Sequence, residues 1–385
     1  MKILMVNYEY PPIGGGGGVI CRDLAEGLVR EGHEVAVVTS RFRDYPEFEQ
    51  VNGVSLYRVP VLLRRRQNVA SLLSMLSYVP SAIRQGSRLL SSGDFDLINT
   101  HFAIPSGPAG YLLSRRFGIP NVLHLLGGDV YDPSKWLSPH RFPFLKGTVK
   151  KMIRSADRVV TVSSDIQNNA RRFYGTDGRI DVVPPAVKPA RYPAVSRAGL
   201  GMADGSFALI TVGRLVRRKN LFELLQIFGE LRSRVSCELW IVGDGPLRES
   251  LEAQARAGGI ADYVRFTGRV SERRKFELLA AADLYVSTAL HEGFGIVFLE
   301  AMECGLPVVC YDRGGQTDFL IDGATGYVVN FSDTGTFMER CLSLERDKKA
   351  RLENSEHNAS YVKDFYPDKF VQRHLDLFQK VVGRG

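Results

Sequence analysis

The sequence predicts two consecutive α/β domains, each a Rossmann-like, doubly wound sheet whose strands run mainly parallel. Three observations carry this. Short β-branched and apolar runs alternate with amphipathic helical segments through both halves. Prolines then cluster at Pro184, Pro185, Pro189 and Pro193, in a stretch unsuited to helix or central strand. Beyond them the alternation restarts at Phe207. A chain of 385 residues, 44% of them apolar, is long enough to fill two cores. The expected division is 1–188, 189–366, and a terminal helix over 367–385 that packs back toward the first domain.

In the first half, Lys2–Asn7 reads as a strand that leads into a glycine loop. A helix follows with Ile20, Leu24 and Leu28 at four-residue spacing, closed by Gly32. Further strands are expected at Glu34–Thr39, Val54–Val59, Asp96–Thr100, Asn121–Leu125, Arg158–Val162 and Ile180–Val183. The second half gives strands at Phe207–Val212, Cys237–Val242, Tyr263–Thr267, Leu284–Ser287 and Pro307–Tyr311. Helices stand between them near Lys219–Leu231, from Pro246, Arg273–Ala281 and Ile296–Glu303. Phe370, Val371, Leu375 and Phe378 mark the terminal helix. No repeat period appears, which excludes a solenoid.

The five cysteines form no close pairs of the kind metal or redox motifs use, and read as reduced structural thiols. No apolar run is long enough for a membrane span or signal peptide, so a cytoplasmic protein is expected. The net charge of +8 lies wholly in residues 1–190, which hold 24 Lys and Arg against 16 Asp and Glu. Between Glu49 and Asp94 there is no acid, and Arg58, Arg64, Arg65, Arg66, Arg84 and Arg88 surround Val69, Leu72, Leu73, Leu76, Val79 and Ile83. That pattern fits a solvated helix face or a surface docking an anionic membrane, with nucleic acid the weakest reading.

Three motifs carry chemistry. Pro11-Pro12-Ile13 is followed by five glycines, Gly14 to Gly18, between a strand and a helix; the bare backbone and the helix start suit a phosphate. The spacing is not the dinucleotide fingerprint, and the second strand ends without a ribose-binding acid. Val212-Gly213-Arg214-Leu215 with Lys219-Asn220 forms a basic strand-to-helix turn. His291-Glu292-Gly293-Phe294-Gly295 runs on to Leu299-Glu300, so one carboxylate stands in a loop and the other a turn into a helix, placed for a sugar and a ribose.

Together with Val242-Gly243-Asp244-Gly245-Pro246, Ala301-Met302 and Gly305-Leu306-Pro307-Val308-Val309, these motifs strongly resemble glycosyltransferase family 4 over nearly the whole chain. The resemblance implies a GT-B fold with two domains facing a central cleft, the first on the acceptor side and the second holding the nucleotide sugar. It also implies retention of anomeric configuration, no cofactor and no required metal ion. Carried over by position, Arg214 and Lys219 hold the donor diphosphate as charge develops on it. Glu292 binds donor-sugar hydroxyls and stands with those two cations as a catalytic candidate. Glu300 takes the ribose hydroxyls. Gly213 and the backbone of Phe294, Gly295, Ile296 and Val297 contact sugar and phosphate, Gly15 and Gly16 meet the diphosphate, and Arg269 contacts the base.

One departure stands out. Family members often place a histidine where Leu126 begins Leu126-Gly127-Gly128-Asp129. His101, His124 and Asp129 therefore remain only as candidate acceptor or sugar contacts, or as ordinary core residues. A front-face displacement, in which the leaving phosphate takes the acceptor proton, needs no enzymic base. The expected function is transfer of a sugar from a UDP- or GDP-sugar to a hydroxyl of a glycan or lipid-linked acceptor. A nucleotide-sugar-binding protein without transfer activity and a GT-B epimerase are the alternatives.

Overall fold

The computed structural model describes residues 1–383 apart from 65, 66, 68, 69, 135, 177–179, 191, 193 and 194. Arg65, Arg66, Val69 and Pro193, named above, lie outside the described residues. The chain divides into two compact units, Met1–Ala186 together with Pro367–Gly385, and Val187–Tyr366.

The first unit runs β1 (Lys2–Asn7), α1 (Gly16–Arg30), β2 (Glu34–Ser40), β3 (Phe48–Val51), β4 (Val54–Val59), α2 (Leu72–Ser91), β5 (Leu97–His101), α3 (Gly107–Phe117), β6 (Asn121–Leu125), α4 (Pro143–Ser155), β7 (Arg158–Thr161), α5 (Ser164–Tyr174) and β8 (Ile180–Val182). Its strands lie in the order β3-β4-β2-β1-β5-β6-β7-β8. All neighbours pair in parallel except β3 with β4. The central strands are apolar along their length because helices cover both faces of a parallel sheet; Ile3, Leu4, Met5 and Val6 of β1 are fully buried.

The antiparallel edge strand β3 is not among the strands expected from sequence. Its signal is the turn Val51-Asn52-Gly53-Val54, in which Asn52 and Gly53 have φ of 50° and 81°, the two-residue hairpin geometry that Asn-Gly favours. The strand escapes periodicity because Phe48 and Gln50 on one of its faces are exposed or half-exposed.

The second unit runs α6 (Arg197–Leu200), β9 (Phe207–Val212), α7 (Leu221–Arg232), β10 (Cys237–Val242), α8 (Arg248–Ala257), β11 (Val264–Gly268), α9 (Glu272–Ala281), β12 (Leu284–Ser287), α10 (Ile296–Glu303), β13 (Val308–Tyr311), β14 (Gly326–Val329), α11 (Thr334–Arg346) and α12 (Lys348–Tyr361). The sheet is wholly parallel, in the order β11-β10-β9-β12-β13-β14. Its core packs Leu224, Leu225 and Phe228 of α7 and Phe337 of α11 against Leu209, Leu239 and Val309. Each such side chain contributes roughly 1.5–3 kcal/mol on burial.

The last helix, α13 (Pro367–Val382), belongs to the first unit, where it packs on α1. A Cβ built on Gly27 of α1 would fall 2.2 Å from Val371 Cγ2, so the glycine lets the two helices approach.

Candidate active site

In the second unit the strand order reverses between β9 and β12, which pair directly through Leu209 with Leu284 and Ile210 with Tyr285. At such a reversal the connections leave to opposite sides and open a crevice at the carboxyl ends of the strands. The loop after β9 therefore lies beside the loop after β12. Thr288 Oγ1 donates to the Asn220 carbonyl at 3.0 Å, and the Leu290 N–H donates to the Arg218 carbonyl at 2.8 Å. The Glu292 carbonyl accepts from the Gly315 N–H at 2.8 Å, which fixes the second loop from its far side.

The charged side chains meet in this crevice. Lys219 Nζ stands 2.5 Å from Glu292 Oε1, and Arg218 reaches Glu292 Oε2 at 3.3 Å. Glu292 is only 5% exposed. Burial disfavours its charge, but Lys219 and Arg218 outweigh burial and hold the carboxyl below its usual range. A Cβ on Gly213 would fall 2.7 Å from Lys219 Cε, so this glycine makes room for the lysine to cross the strand end. Arg214 differs from its neighbours. It is exposed and forms no side-chain hydrogen bond or ion pair with the described residues.

Helix α10 starts beside this pair. Its N-cap, Gly295, has φ +90°, and a Cβ there would strike the Phe298 ring at 2.4 Å. The Phe294 ring is buried against Phe319, with centroids 4.8 Å apart, so only its backbone remains for a ligand. Ile296 and Val297 are half-buried in the first turn. Glu300 stands one turn further on and accepts from Lys275 Nζ at 2.7 Å. Its burial pushes the carboxyl above the ordinary range, with Lys275 opposing. Arg269, just past β11, is exposed.

In the first unit the order reverses between β1 and β5, and the glycine loop leaves β1 at that point. Gly14 has φ +102° over Glu9, whose Oε2 accepts from the Gly15 N–H at 2.8 Å. Helix α1 begins at Gly16 without a side-chain cap. The glycines are not equivalent. A Cβ on Gly17 would sit 2.2 Å from Phe102 Cζ and 3.0 Å from Leu126 Cδ1. One on Gly16 would meet nothing within 4 Å, and one on Gly15 only Glu9 Oε2 at 3.9 Å. Packing therefore explains Gly17 but leaves Gly15 and Gly16 unexplained. Leu126 packs beneath the loop, its Cδ1 3.0 Å from where a Cβ on Gly17 would stand.

The remaining sequence candidates turn inward. His101 and His124 are 0% and 2% exposed and stack at 4.4 Å, and His124 stacks on His374 of α13 at 5.1 Å. Asp129, 4% exposed, accepts the N–H groups of Ala103, Leu126 and Gly127 and so ties two loops together. All three side chains, the candidate acceptor or sugar contacts, are thus buried within the first unit. Two residues not singled out from sequence belong to the site, Arg218 and Lys275. The first stands in the basic run already noted, whereas Lys275 reaches Glu300 only because α9 packs on α10.

Residues 14–191 match the model of Glycosyltransferase Family 4, and residues 195–361 match that of Glycosyl transferases group 1. A glycosyltransferase of Methanocaldococcus jannaschii is 30% identical over 368 residues, 89% of each chain. The chain belongs to glycosyltransferase family 4. Among solved structures, the sucrose-phosphate synthase of Thermosynechococcus elongatus superposes with a TM-score of 0.87 at 20% identity over the whole of both chains. Anabaena HepE, solved with UDP and glucose, gives 0.79 at 20% identity over 99% of this chain and 100% of its own. These likenesses show that the chain has the GT-B fold with two α/β units, and its place in family 4 makes it a glycosyltransferase. Among the described residues no helix is long and apolar enough to cross a membrane.

Proposed function

We propose that this glycosyltransferase moves a hexose from a UDP- or GDP-sugar to a hydroxyl of a glycan or lipid-linked acceptor, with retention and without a metal ion. The observation that carries the reading is the crevice of the second unit, where an unpaired Arg214, the Lys219–Glu292 pair and Glu300 converge on one reversal of strand order. Arg214 and Lys219 supply fixed positive charge for the diphosphate, the task a divalent cation performs elsewhere. Lys219 already compensates Glu292, so a donor entering the site finds a carboxylate held ionised and ready to accept from sugar hydroxyls. Gly213 and the amides of residues 294–297 at the start of α10 supply further donors. In the first unit Gly16, free of packing demands, offers its backbone amide to an anionic group at the start of α1, and Gly15 beside it leaves the approach open. Arg269 is the proposed base contact. HepE, whose structure holds UDP and glucose, makes UDP the first donor nucleotide to try.

The reaction written for this site breaks the anomeric carbon–phosphate oxygen bond and forms the glycosidic bond on the same face. The leaving phosphate oxygen takes the acceptor proton, so no histidine is required, in keeping with Leu126 beneath the loop. The test is turnover of a panel of UDP- and GDP-sugars with excess chelator, the product's anomeric configuration being read by NMR. Retained activity and retained configuration support the proposal. Strict dependence on magnesium or manganese refutes it, and binding without loss of sugar from the donor would mark a binding protein instead. Arg214→Ala should weaken nucleoside diphosphate binding by about 2 kcal/mol, the loss of one charge-assisted contact.

An anionic membrane is the proposed docking partner of the first unit. Leu62, Leu63, Leu72, Leu73 and Leu76 are more than half exposed around the start of α2, and Arg84 and Arg88 are exposed further along it. Two of the arginines expected there are engaged otherwise. Arg58 is buried and paired with Glu49 at 2.5 Å. Arg64 lies over the Tyr8 ring at 4.7 Å and donates to Ser40 Oγ and the Gln67 carbonyl.

A further inference from the structure

Glu300 has two unequal oxygens. Oε1 accepts from Lys275 Nζ at 2.7 Å, whereas Oε2 is buried and has no partner. Both side chains are 12% exposed. Lys275 also touches Glu272, one turn back on its own helix, at 3.0 Å, but that carboxylate is 73% exposed and needs no partner for its solvation. The lysine is therefore spent chiefly on Glu300. A carboxylate so buried and stripped of its cation either keeps an uncompensated charge or takes up a proton.

We propose that Lys275 is a positioning residue of the nucleotide site, which holds Glu300 as a carboxylate by its Oε1 and so keeps Oε2 open as an acceptor for a vicinal diol. This rests on the reading of Glu300 as the ribose contact. The charged and titratable groups facing Glu300 are Lys275 and Glu272 from α9, Tyr285 from β12 and Cys304 at the C-cap of its own helix, and of these only Lys275 is a cation. Without it, burial drives Glu300 toward the neutral acid. The proton would then occupy an oxygen that a hydroxyl donor must approach, turning an acceptor into a competing donor. A charged acceptor also binds a hydroxyl more strongly than a neutral one.

The experiment is calorimetric titration of the full chain with UDP and with GDP from about pH 6 to about pH 9, for wild type, Lys275→Met, Lys275→Arg, Glu272→Gln and Glu300→Gln. The Lys275→Met protein should bind about tenfold more weakly than wild type near neutrality. That ratio should shrink as pH rises, because deprotonation of Glu300 restores the acceptor. Lys275→Arg and Glu272→Gln should stay within about threefold of wild type throughout. Taking the ratio to wild type removes the nucleotide's own ionisation. A ratio independent of pH, or Lys275→Met binding like wild type while Glu300→Gln is weakened, overturns the role of Lys275. If Glu300→Gln and Lys275→Met both bind like wild type, the ribose reading itself has failed and the proposal falls with it. The arginine variant keeps the test decisive should the methionine variant fold poorly.

Discussion

Acidification should loosen the first unit before the second, through the stack of His101, His124 and His374. Nε2 of His101 donates to Asn99 Oδ1 at 2.8 Å and Nδ1 of His374 donates to the Phe370 carbonyl at 2.8 Å, while His101 Nδ1, His124 Nε2 and His374 Nε2 are buried without partners. Burial holds all three rings neutral, with the neighbouring rings adding to the effect on His101 and His124. His101 is pushed down to about 3, His374 to about 4, and His124 well below the ordinary value. In the unfolded chain each ring titrates near 6.5. The unfolded state therefore binds more protons below that pH, and the stability the neutral rings contribute is full above about pH 6.5 and lost as pH falls toward about 4. At about pH 5 His101 and His374 each account for about 2 kcal/mol, and His124 acts in the same direction. Asp129 works in the opposite sense: burial raises its carboxyl to about 6, so the folded state gains a proton there first, an offset of about 1 kcal/mol. The net loss of about 3 kcal/mol from His101, His374 and Asp129 is a large part of the stability of a domain.

Hydrogen exchange read by mass spectrometry, corrected for intrinsic rates, separates the units. Peptides from β5, β6 and α13 should lose protection between about pH 7 and pH 5 far more than peptides from β9 and β10. The His374→Leu variant, of similar volume and without an unpartnered nitrogen, should lose about 2 kcal/mol less over the same interval. Equal loss of protection in both units, or a variant with the full wild-type pH dependence, would refute the reasoning.

Two substitutions in the glycine loop should part company. Gly17→Ala should destabilise the first unit by about 1–3 kcal/mol in urea unfolding, because its Cβ collides with Phe102. Gly16→Ala, with open space at that position, should leave unfolding unchanged and yet slow sugar transfer; transfer at the wild-type rate would remove Gly16 from the donor site. For the membrane surface, replacing Leu72, Leu73 and Leu76 together by Ser should abolish co-sedimentation with anionic vesicles. Replacing Arg84 and Arg88 by Ser should weaken it by about 1 kcal/mol for each charge, an effect that fades as salt rises. Equal sedimentation of all three proteins would leave α2 a solvated face.

Much of this protein is written locally. Alternating apolar runs specified the parallel strands because a strand covered on both faces has nowhere to place polar side chains, and Gly213, Gly295 and the basic turn from Arg214 to Lys219 could be read as a binding loop from residue types alone. Pairing could not. Lys219 and Glu292 lie 73 positions apart in sequence, and they meet because the strand order reverses between β9 and β12, a property of the whole sheet. The same holds for Lys275, which reaches Glu300 across a helix–helix contact, and for His101 and His124. Local sequence placed these two toward strand ends, and their stacking with His374 of α13 is visible only in the packed unit. Arg64 looked like surface charge and was drawn inward by the Tyr8 ring. Sequence periodicity thus determined which residues are buried in elements, whereas the long-range packing of those elements decided which charges are neutralised, which remain open to a substrate, and which histidines lose water.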